Sequence, residues 1–468
     1  MSEEKTRGEL LKKELFLERK HAGEQFSGKQ MELADQFCED YKTFLDESKT
    51  EREAVASAVA ILEKEGYTPF DPSRKYEAGE KLYYNNRGKA LIFATMGRKP
   101  LAEGVKILVS HIDSPRLDLK PNPLYEDKEI ALFKTHYYGG IKKYQWTAIP
   151  LALHGVIALK NGETITVKIG DNEEEPVFCV TDLLPHLSKD QNSRPLKDGI
   201  KGEELNVLVG SLPFKDDKVS QKVKLNILNL LHEKYGIVEE DFLSAELCCV
   251  PAFPACDIGF DRSFVGAYGH DDRVCSYTAA TALLDLKTTP AHTCVCLLVD
   301  KEETGSDGVT GMQSRAFDTF MADLCRAQGA LVEECYENSV CLSADVCNAF
   351  DPNFPEVSEK RNDARANCGF ALVKYTGARG KSGTSDATAE LMARIRCIFD
   401  KAGVVWQTGQ LGKVDQGGGG TVAMYLANRN IDTVDAGVPV LSMHAPFEVI
   451  AKLDLYMAYK GFGAFYKD

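Results

Sequence analysis

Along the chain the spacing of apolar residues changes character twice, and the changes mark out three regions. Up to about residue 65, apolar positions recur at intervals of three and four: Leu33, Phe37, Tyr41 and Phe44, then Val55, Val59 and Leu62. That is the period of amphipathic helices lying on a core. From Lys89 the texture becomes strand-like, in KALIFATM and VKILVSHIDS. The second run delivers a polar cluster at its carboxyl end, where open α/β sheets place ligands. Between residues 115 and 245, short apolar-polar alternations are punctuated by turn signals, as in LHGVIALKNGETITVKIGDNEEEPVFCVT, and predict a β-rich unit. After Pro251 strands (HTCVCLLVDKEE, NSVCLSADV, GFALVKY, VVWQTGQ) alternate with helices. The helices fall in YTAATALLDL, TGMQSRAFDTFMADLCRAQG, SDATAELMARIRCIFDKAG and GGGGTVAMYLANRN, with a last one after HAPFE. The expected fold is α/β: a helix-covered sheet built from residues 1–114 and 246–468, interrupted by an inserted β-rich domain at 115–245.

Composition narrows the function more than the fold. The 468 residues carry 56 Lys+Arg against 70 Asp+Glu, a net charge of −14, with 44% hydrophobic and 27% charged residues. This is an ordinary globular balance, which excludes disorder, collagen and coiled coil. No basic cluster offsets the acid excess, so nucleic acid and anionic membrane are not expected partners. No apolar run reaches the ~18 residues of a membrane span, and the charged, amphipathic N-terminus is unlike a signal peptide; a cytoplasmic location is expected. The 14 cysteines are scattered without a Cys-x-x-Cys pair and read as reduced core residues. The glycine run at 417–420 lacks the Lys-Ser/Thr of a phosphate loop; it reads as the start of a helix, with close backbone packing or a turn against substrate.

Candidate chemistry lies where apolar runs stop. SHIDSPR presents His111 and Asp113, GHDDR presents Asp271 and Asp272, DKEETGS presents Glu302 and Glu303, LSADV presents Asp345, and SMHAPFE presents His444. Each alone reads as a satisfied histidine or a solvated acid. Acids that follow runs such as VCLLVD and VCLSAD, however, lie near the carboxyl edge of the sheet. Several buried carboxylates cannot all stay ionised there without a compensating positive charge. A metal supplies it. Imidazole and carboxylate together, without thiolate, suit zinc, with manganese or cobalt as substitutes. A shared carboxylate would hold two such ions about 3.5–4 Å apart, the spacing of two-metal hydrolases.

The order His-x-Asp, Asp-Asp, Glu-Glu, Asp, His resembles that of the co-catalytic zinc aminopeptidases. The strings HIDSPRLDLKPNPLYED, HYYGGIKKYQW, HDDRVCSYTA, DKEETGSDG, SADVCNAFDPNF and SMHAPFE are similar to the aspartyl aminopeptidase and aminopeptidase I family, on its bacterial branch. The likeness runs from about residue 75 to the end. It implies a mixed-sheet zinc-peptidase domain that removes N-terminal residues from peptides with a free amine. It also implies that His111 and Asp345 hold one zinc ion, that Glu303 and His444 hold a second, and that Asp271 bridges the pair. Glu302 is then the general base, taking a proton from a water acidified by the ions and passing it to the leaving amine. Asp113, two residues along an extended strand from His111, points to the same face and can orient that ring. Family resemblance further implies that the β-rich insertion makes dimer contacts within a homo-oligomer, a tetrahedral dodecamer. His186, in TDLLPHL, would reach the active site of a neighbouring subunit.

Two departures from the eukaryotic pattern stand out. Asp272 stands where those members have Asn, and Asn348 and Asp351 stand where they have histidines. An added acid beside the substrate pocket would disfavour an acidic first residue, so a neutral or broad preference is expected, although Arg379 and Lys381 could pair with an acidic side chain. Two other readings remain open. A structural or cargo-binding assembly would have lost a ligand or the base, whereas every position is filled here. A carboxypeptidase or deacylase on a similar metal scaffold would not require a free amine.

Overall fold

A computed structural model describes residues 6–17 and 21–468. The helical expectation for the N-terminal region appears as helices Arg7–Leu15, Ala22–Gln25, Gly28–Glu47 and Glu51–Lys64. Its positions 1–5 and 18–20 lie outside the described residues. The two longer helices start at capping boxes in which Ser27 pairs with Gln30 and Thr50 with Glu53, each satisfying backbone N–H groups the helix leaves free. Gly28–Glu47 buries Ala34, Cys38, Tyr41 and Leu45, so of the expected positions Tyr41 is buried, Phe37 and Phe44 are half-buried and Leu33 faces outward, because the buried stripe is turned by one residue.

The main sheet has nine strands. At its centre Cys294–Val299, Lys106–His111, Val340–Ser343 and Asp432–Gly437 run parallel. Antiparallel neighbours Ala90–Thr95 and Phe370–Val373 flank them, so the sheet is mixed. Every residue of Lys106–His111 and Cys294–Val299 is buried because both faces are covered. Side chains alternate between two cores. Leu108, Cys296, Leu298, Leu342 and Val434 join Phe370, Phe462 and Phe465 under helices His270–Leu284 and Lys452–Lys467. On the other face Ile107, Val109, Val295, Leu297 and Cys341 meet Phe317, Phe320 and Leu324 of helix Ala316–Gln328. Because the four central strands are parallel, all their carboxyl ends open onto one edge.

Strands between Arg116 and Pro251 form a separate antiparallel sheet of seven, with its own core around Leu117, Phe133, Trp146, Leu153 and Leu247. Its last strand, Ala245–Pro251, begins at residue 245 and runs past the expected end of the insertion. The region also contains helix Lys222–Tyr235, whose Val223, Ile227 and Leu231 pack on that core. Two local differences from the sequence pattern bear on the site. Asp432–Gly437 is a central strand, although Asp435 breaks its apolar run and hides the strand signal. The glycine run does not open a helix: Gly418–Gly419 pairs antiparallel with Gly377–Ala378, and the helix after it is only Ala423–Ala427. A Cβ at Gly418, whose φ is +129°, would come within 2.5 Å of the Gly377 carbonyl oxygen, so the ribbon closes only without side chains. Most of the 14 cysteines are buried. Among the described residues no helix is long and apolar enough to cross a membrane.

Helix Glu51–Lys64 is tied to the antiparallel sheet through His154, which is fully buried. Its Nδ1 lies 2.9 Å from Glu53 Oε1 and its Nε2 3.1 Å from Asp171 Oδ1. Lys49 and Lys168 also reach Asp171. Burial alone would lower the imidazole pKa, but the Asp171 and Glu53 carboxylates outweigh it and hold the ring above its ordinary value. The same partnership lowers both acids despite burial. Removing one member of such a buried set costs about 3 kcal/mol. In urea unfolding, His154→Ala should lose about that much near pH 6, where the ring is charged in both folded and unfolded chains. Because the folded pKa is raised, the gap between the two proteins should narrow as pH climbs through it. It should also narrow at acid pH, as Glu53 and Asp171 take up protons.

Candidate metal centre

The parallel strands deliver the acids and imidazoles to a single edge. His111 is the last residue of its strand. Cys294–Val299 leads through Lys301, at φ +71°, into the single turn Glu302–Thr304. Asp345 follows Val340–Ser343, and Asp271 lies in the first turn of His270–Leu284, joined to Asp272 by a cis peptide bond. His444, at φ +65°, sits in the loop between Pro439–Leu441 and Glu448–Ala451. Left-handed backbone at non-glycine residues such as Lys301 and His444 is strained, and it persists where surrounding contacts over-determine it.

Among the described residues, metal-capable atoms cluster in two triplets, His111, Asp271, Asp345 and Asp271, Glu303, His444, each with its atoms within 4.8 Å of one another. Asp271 belongs to both. Its Oδ1 lies 3.1 Å from His111 Nε2 and its Oδ2 3.3 Å from His444 Nε2. Asp345 Oδ1 is 3.9 Å from the first imidazole, and Glu303 Oε2 is 3.5 Å from the second. Both rings have a fixed tautomer. His111 Nδ1 donates to the Asp113 carbonyl at 3.0 Å and His444 Nδ1 to the Gly140 carbonyl at 2.8 Å, leaving each Nε2 free to bind an ion. Glu302 reaches His111 Nε2 at 3.9 Å but belongs to neither triplet.

Charge in this cluster is unbalanced by side chains alone. Burial, then the neighbouring Asp271 charge, pushes Glu303 well above the usual carboxylate range. Asp345 is likewise pushed well above it, by burial and then by Asp272. Burial raises Glu302 to about 7. Burial opposes protonation of the imidazoles, yet hydrogen bonding to Asp113 and Asp271 carries His111 well above its ordinary value, and Asp271 takes His444 up to about 10. The site thus gathers protons in place of the positive charge its acids call for. Glu303 Oε1 is buried without a hydrogen-bond partner. Imidazole nitrogens aimed inward, a shared carboxylate and an orphaned carboxylate oxygen fit zinc.

Asp113 supports the centre in more ways than orienting a ring. Its carboxylate accepts the backbone N–H groups of Glu302 and Glu303, each at 3.2 Å, and the Tyr138 hydroxyl at 2.7 Å. Sequence reasoning passed over Glu448, although it ends the SMHAPFE string. Its carboxylate accepts the Asp271 N–H at 3.0 Å and the His444 N–H at 2.7 Å, so one acid fixes the backbone at a residue of each triplet. The signal was available: an acid four residues past His444, opening the apolar run EVIA.

The centre forms the floor of a cleft of about 530 Å³. Val346, Val373, Met424 and Met443 line it, with Tyr375, Tyr425, Arg379, Lys381, Lys413 and Asp435. The acids singled out by the departures from the eukaryotic pattern are not among its lining residues. Asp272 is fully buried, and Asp351 lies elsewhere. The unexpected acid in the cleft is Asp435, which the hidden strand places there; burial pushes its carboxyl up to about 6, and Thr421 donates to it at 2.7 Å. Lys381 is paired with Asp386 and lies over the Tyr375 ring, leaving Arg379 and Lys413 as exposed cations. His186 is exposed in the loop before Lys189–Asn192 and does not line this cleft. Any action on a site would require a second copy of the chain.

The sequence matches the family described as "Aminopeptidase I zinc metalloprotease (M18)" over residues 44–466. A curated relative, the probable M18 family aminopeptidase 1 of Clostridium acetobutylicum, is 49% identical over 460 residues, covering 97% of this chain and 99% of its own. The crystal structure of an M18 family aminopeptidase from Thermotoga maritima superposes with a TM-score of 0.91 at 43% identity, covering 97% of this chain and all of its own. The S. cerevisiae mApe1 dodecamer shares the fold at 23% identity, with a TM-score of 0.76 over 93% of this chain and 97% of its own. With a family match across nearly the whole chain and close relatives at both levels, the protein belongs to the M18 family of zinc metalloaminopeptidases.

Proposed function

We propose that this aminopeptidase works with two zinc ions, one held by His111 and Asp345, the other by Glu303 and His444, with Asp271 shared, and with Glu302 as its general base. The observation that carries the reading is the placement of Asp271, whose two oxygens face different imidazoles while Glu302 stands outside both triplets. Bound zinc would polarise the scissile carbonyl and bring the pKa of a water near neutrality. Manganese or cobalt could replace it in vitro. Glu302, buried and with a pKa raised to about 7, can take a proton from the attacking water and release it to the departing amine. Glu302, a cleft acid that belongs to neither ligand triplet, can attract the α-amine of a peptide to the metal end. That attraction favours removal of an N-terminal residue over the carboxypeptidase or deacylase reading.

The walls favour a neutral first residue. Val346, Val373, Met424 and Met443 offer apolar surface, and Asp435 disfavours an acidic side chain. Assembly as a homo-oligomer, a dodecamer as in the mApe1 structure, is part of the proposal, with the antiparallel sheet as the contact surface and His186 acting across it.

Glu302→Gln should keep its zinc and lose about 10²–10⁴-fold in kcat on aminoacyl anilides. Undiminished turnover would sink the assignment of the base. Asp271→Ala should surrender zinc to a chelator concentration that the wild type withstands, read by metal analysis after dialysis. On a panel of anilides, Leu and Met derivatives should be cleaved faster than Asp and Glu derivatives. N-acetylated peptides should not be cut at all; equal cleavage of blocked and free peptides would overturn the aminopeptidase geometry.

A further inference from the structure

One end of a strand in the antiparallel sheet reaches directly into the metal centre. Strand Ile130–Tyr138 belongs to that sheet, away from the parallel strands that supply His111, Glu302, Glu303 and Asp345. At its end three consecutive residues meet the centre. The Tyr138 hydroxyl donates to Asp113 Oδ2 at 2.7 Å, and that carboxylate in turn holds the N–H groups of Glu302 and Glu303. Gly139, at φ +76°, runs so close to Glu303 that a Cβ there would lie 3.3 Å from Oε2. The Gly140 carbonyl accepts from His444 Nδ1 at 2.8 Å, and a Cβ at Gly140 would stand 3.3 Å from the same ring nitrogen.

Two cations lie over the Tyr138 ring. The Arg116 guanidinium lies 4.3 Å from its centroid and the Lys301 ammonium 5.5 Å. Arg116 is anchored by Glu51 at 2.7 Å, and Lys301 is the residue just before Glu302. Cation–π contacts of this kind favour one orientation of the ring, and with it the direction of the hydroxyl. Outer contacts of this kind set the geometry and affinity of a metal ligand.

We propose that the strand end Tyr138–Gly139–Gly140 is a positioning device for the Glu303 and His444 half of the metal centre, with Tyr138 as its principal positioning residue. The proposal rests on the two-ion reading above. It makes the antiparallel sheet a working part of the catalytic apparatus, since a shift of that strand would move Glu303, His444 and the backbone of Glu302 together and reach the His111 ring only through Asp113, while leaving Asp345 on its own strand.

The test uses the full-length zinc-loaded enzyme, titrated with a competing chelator and assayed on a leucyl anilide. Tyr138→Phe should weaken the ion held by Glu303 and His444 by about 10–100-fold and lower kcat by a similar factor, with a smaller loss at the ion held by His111, whose ring Asp113 also orients, and with KM little changed. Gly140→Ala, which crowds His444 without touching Asp113, should weaken the same ion and serves if the first variant folds poorly. Tyr137→Phe, on the neighbouring exposed position of the strand, should match the wild type. If Tyr138→Phe and Gly140→Ala hold both ions as tightly as the wild type and turn over as fast, the positioning role is wrong. If the wild type itself holds a single ion, the two-ion reading fails instead. A uniform loss of both ions in step with a lower unfolding midpoint of the metal-free protein would mark Tyr138 as merely structural and also reject the proposal.

Discussion

Asp271 is a buried carboxylate caught between two imidazoles, one oxygen turned to each, and most of the site is arranged around that fact. A negative charge removed from water at this depth costs several kcal/mol unless positive charge surrounds it. Glu303, Asp345 and Glu302 crowd the same few ångströms, and like charges at that range cannot all remain ionised. A bound zinc would relieve the repulsion and be held by it. The aggregate of acids that would be unstable as a bare cluster would then become the source of metal affinity.

Holding such a cluster requires a rigid frame, and the frame comes from two directions. Parallel strands with fully buried side chains bring His111, the Glu302 turn and Asp345 to one edge of the main sheet. Glu448 then ties the backbones of Asp271 and His444 together from the start of strand Glu448–Ala451, and Asp113 ties the turn carrying Glu302 and Glu303 to the loop after His111. Each of these supporting acids accepts backbone N–H groups. Their geometry therefore fixes the main chain at the reacting residues, which side-chain packing alone would leave adjustable. The left-handed conformations of Lys301 and His444 are tolerated within this mesh.

Much of this was legible from residue order. Apolar runs that end in an acid or histidine mark strand termini, and HID, HDDR, DKEE, SADV and SMHA carry the centre in the order in which the fold presents it. Supporting residues were less legible. Glu448 and Tyr138 look like an ordinary strand acid and a strand tyrosine; only their partners, far away in sequence, distinguish them. Asp435 was hidden for a different reason: an acid within a short apolar run breaks the pattern by which strands are recognised, so the strand and the acid facing the cleft were missed together.

The sequence by itself determined the alternation of strands and helices, the metal-ligating types and the family, because periodicity and residue chemistry are local properties. It could not determine which face Asp272 took or that Asp351 stood clear of the cleft, since both depend on how chain segments pack. Nor could it reveal that Asp113 and Glu448 fix the backbone of their neighbours, or that a strand of the antiparallel sheet abuts Glu303 and His444. Those relations join residues up to 304 positions apart, and only tertiary packing brings such groups within hydrogen-bonding distance.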